Sequence, residues 1–364
     1  MRIAELDVIP VGLPFADPYV TATGRLDQRE MLIVRIAAAD GTAGWGDAVP
    51  MGLRGGPGTS AVRRELEGAC RPELVGRDVG ADPGRFIRPA LERCLEAGAG
   101  AQAVSAIDIA LLDLCGRLAG EPAWRILGAA AAAPIVCNAT LGADAAERAG
   151  EAAAAAVRAG FRTLKVKVGD GSDVERMRAV RAAAGPDARL RIDANGSWDV
   201  AEASGRLEEL GPLTIELVEQ PCLTVGELAV VRAATDVPVV ADESVKDLAE
   251  ATSALADGAC DAVTLKLAKV GGPHAAVAIA AAVPAFLSSA LDSVLGIAAA
   301  THAAQAMSPR GFAIGRAHGL ATSGLFTDNV ADDVAFRGPE LEVGRAPGLG
   351  IDPDPAAIER LRLR

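Results

Sequence analysis

The chain is short of several things that common activities require. Its 364 residues include only three histidines and six cysteines. Cys70, Cys94, Cys115, Cys137, Cys222 and Cys260 are scattered, with no Cys-x-x-Cys pair and no paired histidine spacing. Neither a zinc site nor a disulfide framework is expected, and the pattern reads as buried thiols in a reducing cytosol. Excess positive charge is also missing, the formal net charge being -12. Nucleic acid and anionic membrane are therefore excluded as expected partners, because phosphate would be repelled. No uncharged apolar run is long enough to span a bilayer; residues 275–286 come closest and read as a buried helix and strand. The opening residues have no basic head before a long apolar run, so no export leader is expected and the expected location is cytoplasmic. No Gly-x-Gly-x-x-Gly follows a first strand, which removes a dinucleotide-binding sheet.

What is present is a regular series of charges. Five short apolar runs end in Lys167, Asp193, Glu219, Asp242 and Lys266, which stand 26, 26, 23 and 24 positions apart. Each interval fits one buried parallel strand, one helix and two loops. The expected strands lie near 135–139, 163–168, 189–193, 215–219, 238–242, 262–266 and 285–289, with an eighth near 312–317. Strict strand–helix alternation from Pro134 onward predicts an α/β chain whose second part is a (β/α)₇β TIM-type barrel. The first 60 residues instead alternate at period two, as in Met31-Leu-Ile-Val-Arg-Ile36, and residues 60–128 repeat at helical spacing. The expected division is an α+β capping domain over 1–128, a catalytic barrel over 129–327, and a tail from about 328 to 364 packing back on the cap.

A charge at the carboxyl end of successive barrel strands is where this architecture places chemistry. Asp193, Glu219 and Asp242 offer hard oxygen ligands that suit Mg²⁺, with Mn²⁺ able to substitute. Any one of them could cap a helix, but three in register are poorly explained that way. Lys165 and Lys167 lie two apart on one strand and face the same side. Mutual repulsion and burial both favour a neutral amine, which makes such a lysine a base near neutral pH. Lys266 lies across the barrel, as a second base or a cation near developing charge. Lys269 is expected to face solvent or an adjacent loop. The chemistry that needs this set is proton abstraction next to a carboxylate.

On these residues the chain resembles the enolase superfamily, in its muconate lactonizing enzyme subgroup. The resemblance rests on Lys165-Val-Lys167, Asp193, Glu219, Asp242 and Lys266, and on Ser105-Ala-Ile-Asp108 through Leu127-Gly128 in the cap. It implies the Mg²⁺ ligands named above, Lys167 as the base on one substrate face, Lys266 on the other, and Lys165 tuning Lys167. It also implies that Asn195 and Glu243 support the metal ligands. The segments Leu287-Ser-Ser-Ala-Leu-Asp292 and Ala317-His-Gly-Leu-Ala-Thr322 are similar to those of o-succinylbenzoate synthases, which act in menaquinone synthesis. Dipeptide epimerases usually carry an Asp-x-Asp at the eighth strand, and none stands in residues 311–324. Mandelate racemase-like enzymes use a His–Asp dyad, which His274, His302 and His318 do not supply. The expected activity is a Mg²⁺-dependent carbon–oxygen lyase of the synthase type. N-acylamino acid racemase, dipeptide epimerase and muconate cycloisomerase are the alternatives on the same scaffold. The expected ligand is a small-molecule carboxylate, and self-association is left open. Substrate contacts are expected from cap loops at 15–25 and 51–58, through Tyr19, Arg25, Met51 and Arg54. Ser288, Ser289, Asp292 and His318 are expected to line the barrel side.

Overall fold

The computed structural model describes residues 1–21, 24–52, 55–307, 317–332, 334 and 336–363, without the side chains of 19–21, 24 and 25. Period-two alternation at the start produces a three-stranded antiparallel sheet of β1 (Ile3–Thr21), β2 (Gly24–Ala38) and β3 (Ala43–Ala48). Residues 15–25 are expected as a loop, but 15–21, 24 and 25 instead belong to strands β1 and β2, with Tyr19 opposite Leu26 and Val20 opposite Arg25. The register slips between Pro14 and Tyr19. Pro18, which has no N–H to donate, lies inside that slip. Phe15 stacks on Phe326 at 5.1 Å and so ties the hairpin to a segment beyond the barrel strands.

The cap helices follow as α1 (Thr59–Glu65), a π-helical turn at Leu66–Cys70, α2 (Arg71–Leu74), α3 (Pro83–Glu96), α4 (Ala101–Ala119) and α5 (Ala123–Ile126). Helix α4 is apolar nearly all round and is buried between the cap sheet and the barrel. Its approach to β3 depends on Gly44 and Gly46, where a Cβ would lie 2.2 Å from Ala110 O and 2.5 Å from Ala106 O.

After β4 (Ile135–Val136) the barrel alternates through β5 (Ala139–Leu141), α6 (Ala146–Arg158), β6 (Thr163–Lys167), α7 (Asp173–Ala184) and β7 (Arg189–Asp193). It continues through α8 (Val200–Leu210), β8 (Ile215–Glu219), α9 (Val225–Ala233), β9 (Val239–Ala241), α10 (Leu248–Ala256) and β10 (Ala262–Leu265). It ends with α11 (Leu267–Val270), α12 (Pro273–Ala282), β11 (Ala285–Leu287) and α13 (Val294–Ala306). The parallel sheet runs β11-β10-β9-β8-β7-β6-β5. Helices α8 and α9 each start at a capping box, Asp199 with Glu202 and Thr224 with Glu227, which stops each loop at a defined residue. Leu217, Val240, Ala262 and Phe286 fill the barrel interior.

The expected first strand at 135–139 divides in two. Residues 135–136 pair with the tail, and the barrel strand begins at Ala139. The expected eighth strand at 312–317 falls mostly on residues outside those described. Closure is made by the next residues: His318 N donates to Val136 O at 2.8 Å and Gly319 N to Leu287 O at 2.8 Å.

The tail forms β12 (Phe336–Arg337), β13 (Glu340–Leu341) and α14 (Pro355–Leu361). It touches the cap, where Leu363 N donates to Pro10 O at 2.9 Å, and it also extends the barrel side by pairing β13 with β4. His302 on α13 joins the parts: its Nδ1 accepts from Trp124 N at 3.1 Å, and its Nε2 lies 3.1 Å from Leu349 O. That pairing requires a neutral ring, and burial pushes its pKa down from 6.5 to about 4. The unfolded chain takes up a proton there as pH falls below about 6.5, while the folded chain does not until about 4. Stability is thus fully present above the upper value and falls by up to about 3 kcal/mol toward the lower. Urea titrations across that window should show the loss, and His302→Gln should flatten it. Among the described residues no helix is long and apolar enough to cross a membrane.

Candidate active site

The barrel register sets the charged residues side by side. Lys167 is level with Asp193, Asp193 with Glu219, and Glu219 with Val240, two positions before Asp242. The chain turns sharply after two of these strands, with Asn195 at φ 47° and Gln220 at φ 40°. Gln220, which sequence reasoning passed over, is fully buried and pins adjacent strand ends together. Its Oε1 accepts from Asp242 N at 2.7 Å and from Ser244 Oγ at 3.1 Å, and its Nε2 donates to Cys222 O at 2.8 Å. Its position directly after Glu219 was the available signal.

Strands β6 and β10 stand four positions apart in the sheet order. In a barrel of eight positions they are opposite walls, so Lys167 and Lys266 face one another across the mouth with the three acids between. Lys165 Nζ lies 2.9 Å from Asp193 Oδ2 and 2.7 Å from Glu219 Oε2. Lys167 Nζ donates to Asp193 Oδ2 and to Asn195 Oδ1, both at 2.6 Å. Asn195 in turn donates to Glu243 Oε1 at 2.9 Å, so both residues expected to support the ligands are in the cluster. On the far wall Lys266 Nζ donates to Asp242 Oδ2.

Two expectations are corrected here. Lys269 does not face solvent or a loop. It is buried, and its Nζ reaches Asp242 Oδ1 at 2.8 Å and Thr264 O at 2.9 Å, because the short helix α11 turns it back under the strand end. Burial pushes its pKa down, opposed by Asp242 and reinforced by Lys266. Lys165 is not driven neutral either. Burial acts in that direction, but Asp193, Glu219 and Asp242 outweigh it and hold its pKa above the ordinary lysine value.

The acids differ from one another. Burial alone would raise Asp193, but Lys165, Lys167 and Lys266 pull it well below the carboxylate range. Glu219 is pushed up to about 7 by burial, partly offset by Lys165 and reinforced by Asp193 and Asp242. Its Oε1 is buried and accepts no hydrogen bond among the described residues. Among those residues no three acid, histidine or cysteine side chains are placed to hold a metal ion together as they stand. Asp193 and Asp242 are instead drawn onto the lysines. The donor set still fits a hard divalent cation: three fully buried carboxylates on adjacent strands, one with an unclaimed oxygen, with Glu219 destabilised by the charge of the other two.

The expected pocket residues are distributed unevenly. Met51 packs on Val49, Ala268 and Ala290 at the carboxyl end of the barrel. Arg54 lies outside the described residues, and for Tyr19 and Arg25 only the backbone in the hairpin is described. Ser288 bridges to Gly319. Ser289 and Asp292 form a tight turn, Ser289 Oγ donating to Asp292 Oδ2 at 2.6 Å, which turns Asp292 toward the cap. His318 Nδ1 accepts from Leu287 N at 3.0 Å, and burial and nearby Arg191 hold it neutral, so it closes the barrel wall. A His–Asp pair does exist: His274 Nδ1 is 2.6 Å from Asp108 Oδ1. Asp108 also accepts from His274 N, so the pair caps α12 from the cap helix α4.

The chain matches the model of the mandelate racemase / muconate lactonizing enzyme N-terminal domain over residues 3–128 and that of the enolase C-terminal domain-like family over residues 147–357. It is 33% identical to a hydrophobic dipeptide epimerase of Enterococcus faecalis over 366 residues, covering 96% of this chain and 99% of that one. It is 42% identical to an o-succinylbenzoate synthase of Mycobacterium tuberculosis over 234 residues, covering 62% and 67%. Its fold is similar to that of N-succinyl Arg/Lys racemase from Bacillus cereus, with a TM-score of 0.92, 26% identity, and 100% and 99% of the chains covered. It is also similar to the Enterococcus faecalis dipeptide epimerase complexed with Mg and L-Leu-L-Tyr, with a TM-score of 0.88, 29% identity, and 96% and 99% covered.

Proposed function

Since this chain belongs to the mandelate racemase / muconate lactonizing enzyme group of the enolase superfamily, we propose that it is a Mg²⁺-dependent enzyme that removes a proton α to a carboxylate. The observation that carries this reading is the pair of lysines on opposite barrel walls with three buried carboxylates between them. Asp193, Glu219 and Asp242 would hold the ion. When bound, it supplies Lewis-acid stabilisation of negative charge on the substrate carboxylate.

Lys165, Lys167, Lys266 and Lys269 face Asp193, Glu219, Asp242 and Glu243. With Lys167 neutral, as a base must be, and a divalent cation bound, this set carries an excess of positive charge that suits a carboxylate substrate. The finer reading is o-succinylbenzoate synthase, acting on 2-succinyl-6-hydroxycyclohexadiene carboxylate. Lys167 takes the proton α to the ring carboxylate, and the C–H electron pair moves into that carboxylate as an enediolate. The pair then returns to expel the β-hydroxyl, which leaves as water with the proton from Lys167, and the ring becomes aromatic. Lys266 opposes the enediolate charge from the other face. Cytosolic action in menaquinone synthesis belongs to this same reading.

A second reading has a specific observation behind it. N-succinyl amino acids are also dicarboxylates, and the likeness to N-succinyl Arg/Lys racemase extends over the whole chain. There Lys167 and Lys266 would act as acid and base in turn. Loss of diene absorbance, abolished by a chelator, tests the synthase. Deuterium uptake at the α-carbon of N-succinyl amino acids, stopped for one enantiomer by Lys266→Arg, tests the racemase. If neither occurs with Mg²⁺ present, both readings are overturned.

A further inference from the structure

A second set of buried acids lies away from the metal ligands, where the cap meets the barrel. Asp47 is the penultimate residue of the cap strand β3 and is 2% exposed, and Asp292 precedes α13 and is 6% exposed. Asp47 Oδ2 accepts from Ser293 N at 2.8 Å and from Ser293 Oγ at 2.6 Å, so a cap carboxylate sits on the first turn of a barrel helix. Gly296 makes room: a Cβ there would lie 2.7 Å from Asp47 Oδ1 and 2.8 Å from Asp292 Cβ. Asp47 Oδ1 is buried and accepts no hydrogen bond among the described residues. Asp292 Oδ2 accepts from Ser289 Oγ and Ala290 N. Arg29 on β2 is the cation facing the group, and its guanidinium joins Pro50 O at 2.8 Å to Ala290 O at 3.3 Å.

We infer that Asp47, with Asp292 beside it, forms a protonation-dependent latch between cap and barrel, which with Arg29 seats Pro50 and Met51 at the carboxyl end of the barrel. Two carboxylates crowded at one buried helix end cannot both ionise without repulsion that Arg29 and the helix terminus must offset. A proton on Asp47 relieves it and gives the unclaimed Oδ1 a hydrogen. Burial and the charge of Asp292 push Asp47 up from 3.8 to about 7, with the hydroxyl and N–H of Ser293 opposing. Burial likewise raises Asp292. The docked junction therefore keeps a proton that the opened junction, near its ordinary value, releases. Docking is tightest in acid, weakens as pH rises from about 4 to about 7, and is level above that. Met51 packs on Ala268, two residues past Lys266, so loosening moves a wall of the pocket without touching the reacting groups. Asp47 and Asp292 are positioning residues.

Hydrogen exchange of the full chain, read by mass spectrometry and corrected for intrinsic rates, tests this without any substrate. The amides of residues 47–52 and 289–296 should open about tenfold more per pH unit between about 5 and 7, then level off. Asp47→Asn should hold these amides at the acid level across the range. Asp292→Asn, which removes the repelling neighbour, should move the rise to lower pH. A merely structural pair would loosen in both variants with the profile unmoved. A flat wild-type profile, or the same rise in both variants, overturns the inference. If Asp47→Asn does not fold, the shift in Asp292→Asn decides alone.

Discussion

Lys167→Ala is expected to lower turnover by about 10²- to 10⁴-fold, the range that a positioned general base contributes. The fold should tolerate the change. Lys167 is the most exposed of the three ammonium groups on the strand ends, at 19%, and Asp193 keeps Lys165 as its partner. Only Asn195 Oδ1 loses a donor. Turnover and α-proton exchange should fall together while the thermal midpoint moves by only a few degrees. Substantial turnover remaining in this variant would remove Lys167 as the base and shift the assignment to Lys266.

Asp242→Asn should be the most damaging of the ligand substitutions, for a reason beyond the metal. Asp242 is the counter-charge of both Lys266 and Lys269, which are 3% and 7% exposed. An asparagine leaves two buried ammonium groups facing a neutral amide. Breaking a buried pair from one side costs about 3–5 kcal/mol. Urea denaturation of the metal-free protein should show that loss, and stabilisation by Mg²⁺ should disappear with it. Lys269→Met in the same background should recover part of the stability and none of the Mg²⁺ response, since it removes one stranded charge without restoring a ligand. Stability equal to wild type in the single variant would show that the lysines find other partners. Retained Mg²⁺ dependence would remove Asp242 from the ligand set.

Much of the barrel was legible because parallel strands buried on both faces are written as short apolar runs, and their terminal charges stand out against them. The intervals between Lys167 and Lys266 were enough to expect alternating strands and helices, and β6 to β10 lie where those intervals place them. The ends of the barrel were less legible. Val136 and Ala139 read as one strand, yet the first belongs to the tail sheet, a pairing made with residues some two hundred positions away. Residues 15–25 read as a loop, but pairing between β1 and β2 carries β1 past Pro18 to Thr21 and starts β2 at Gly24.

The chain alone determined the kind of chemistry available, because residue type at a strand end does not depend on what packs around it. Two lysines, three acids and a lysine at barrel intervals stay together in any fold with that period. Tertiary structure decided which charges neutralise which. Burial and opposition are properties of distance between strands, so only the fold could show that Lys165 lies against Asp193 and Glu219 and that Lys269 turns back onto Asp242. It also decided that Asp47 and Asp292, separated by 245 positions in the sequence, meet at the end of one helix. Pair interactions between remote segments carry no local sequence signal, because each partner taken singly is an ordinary residue in an ordinary turn.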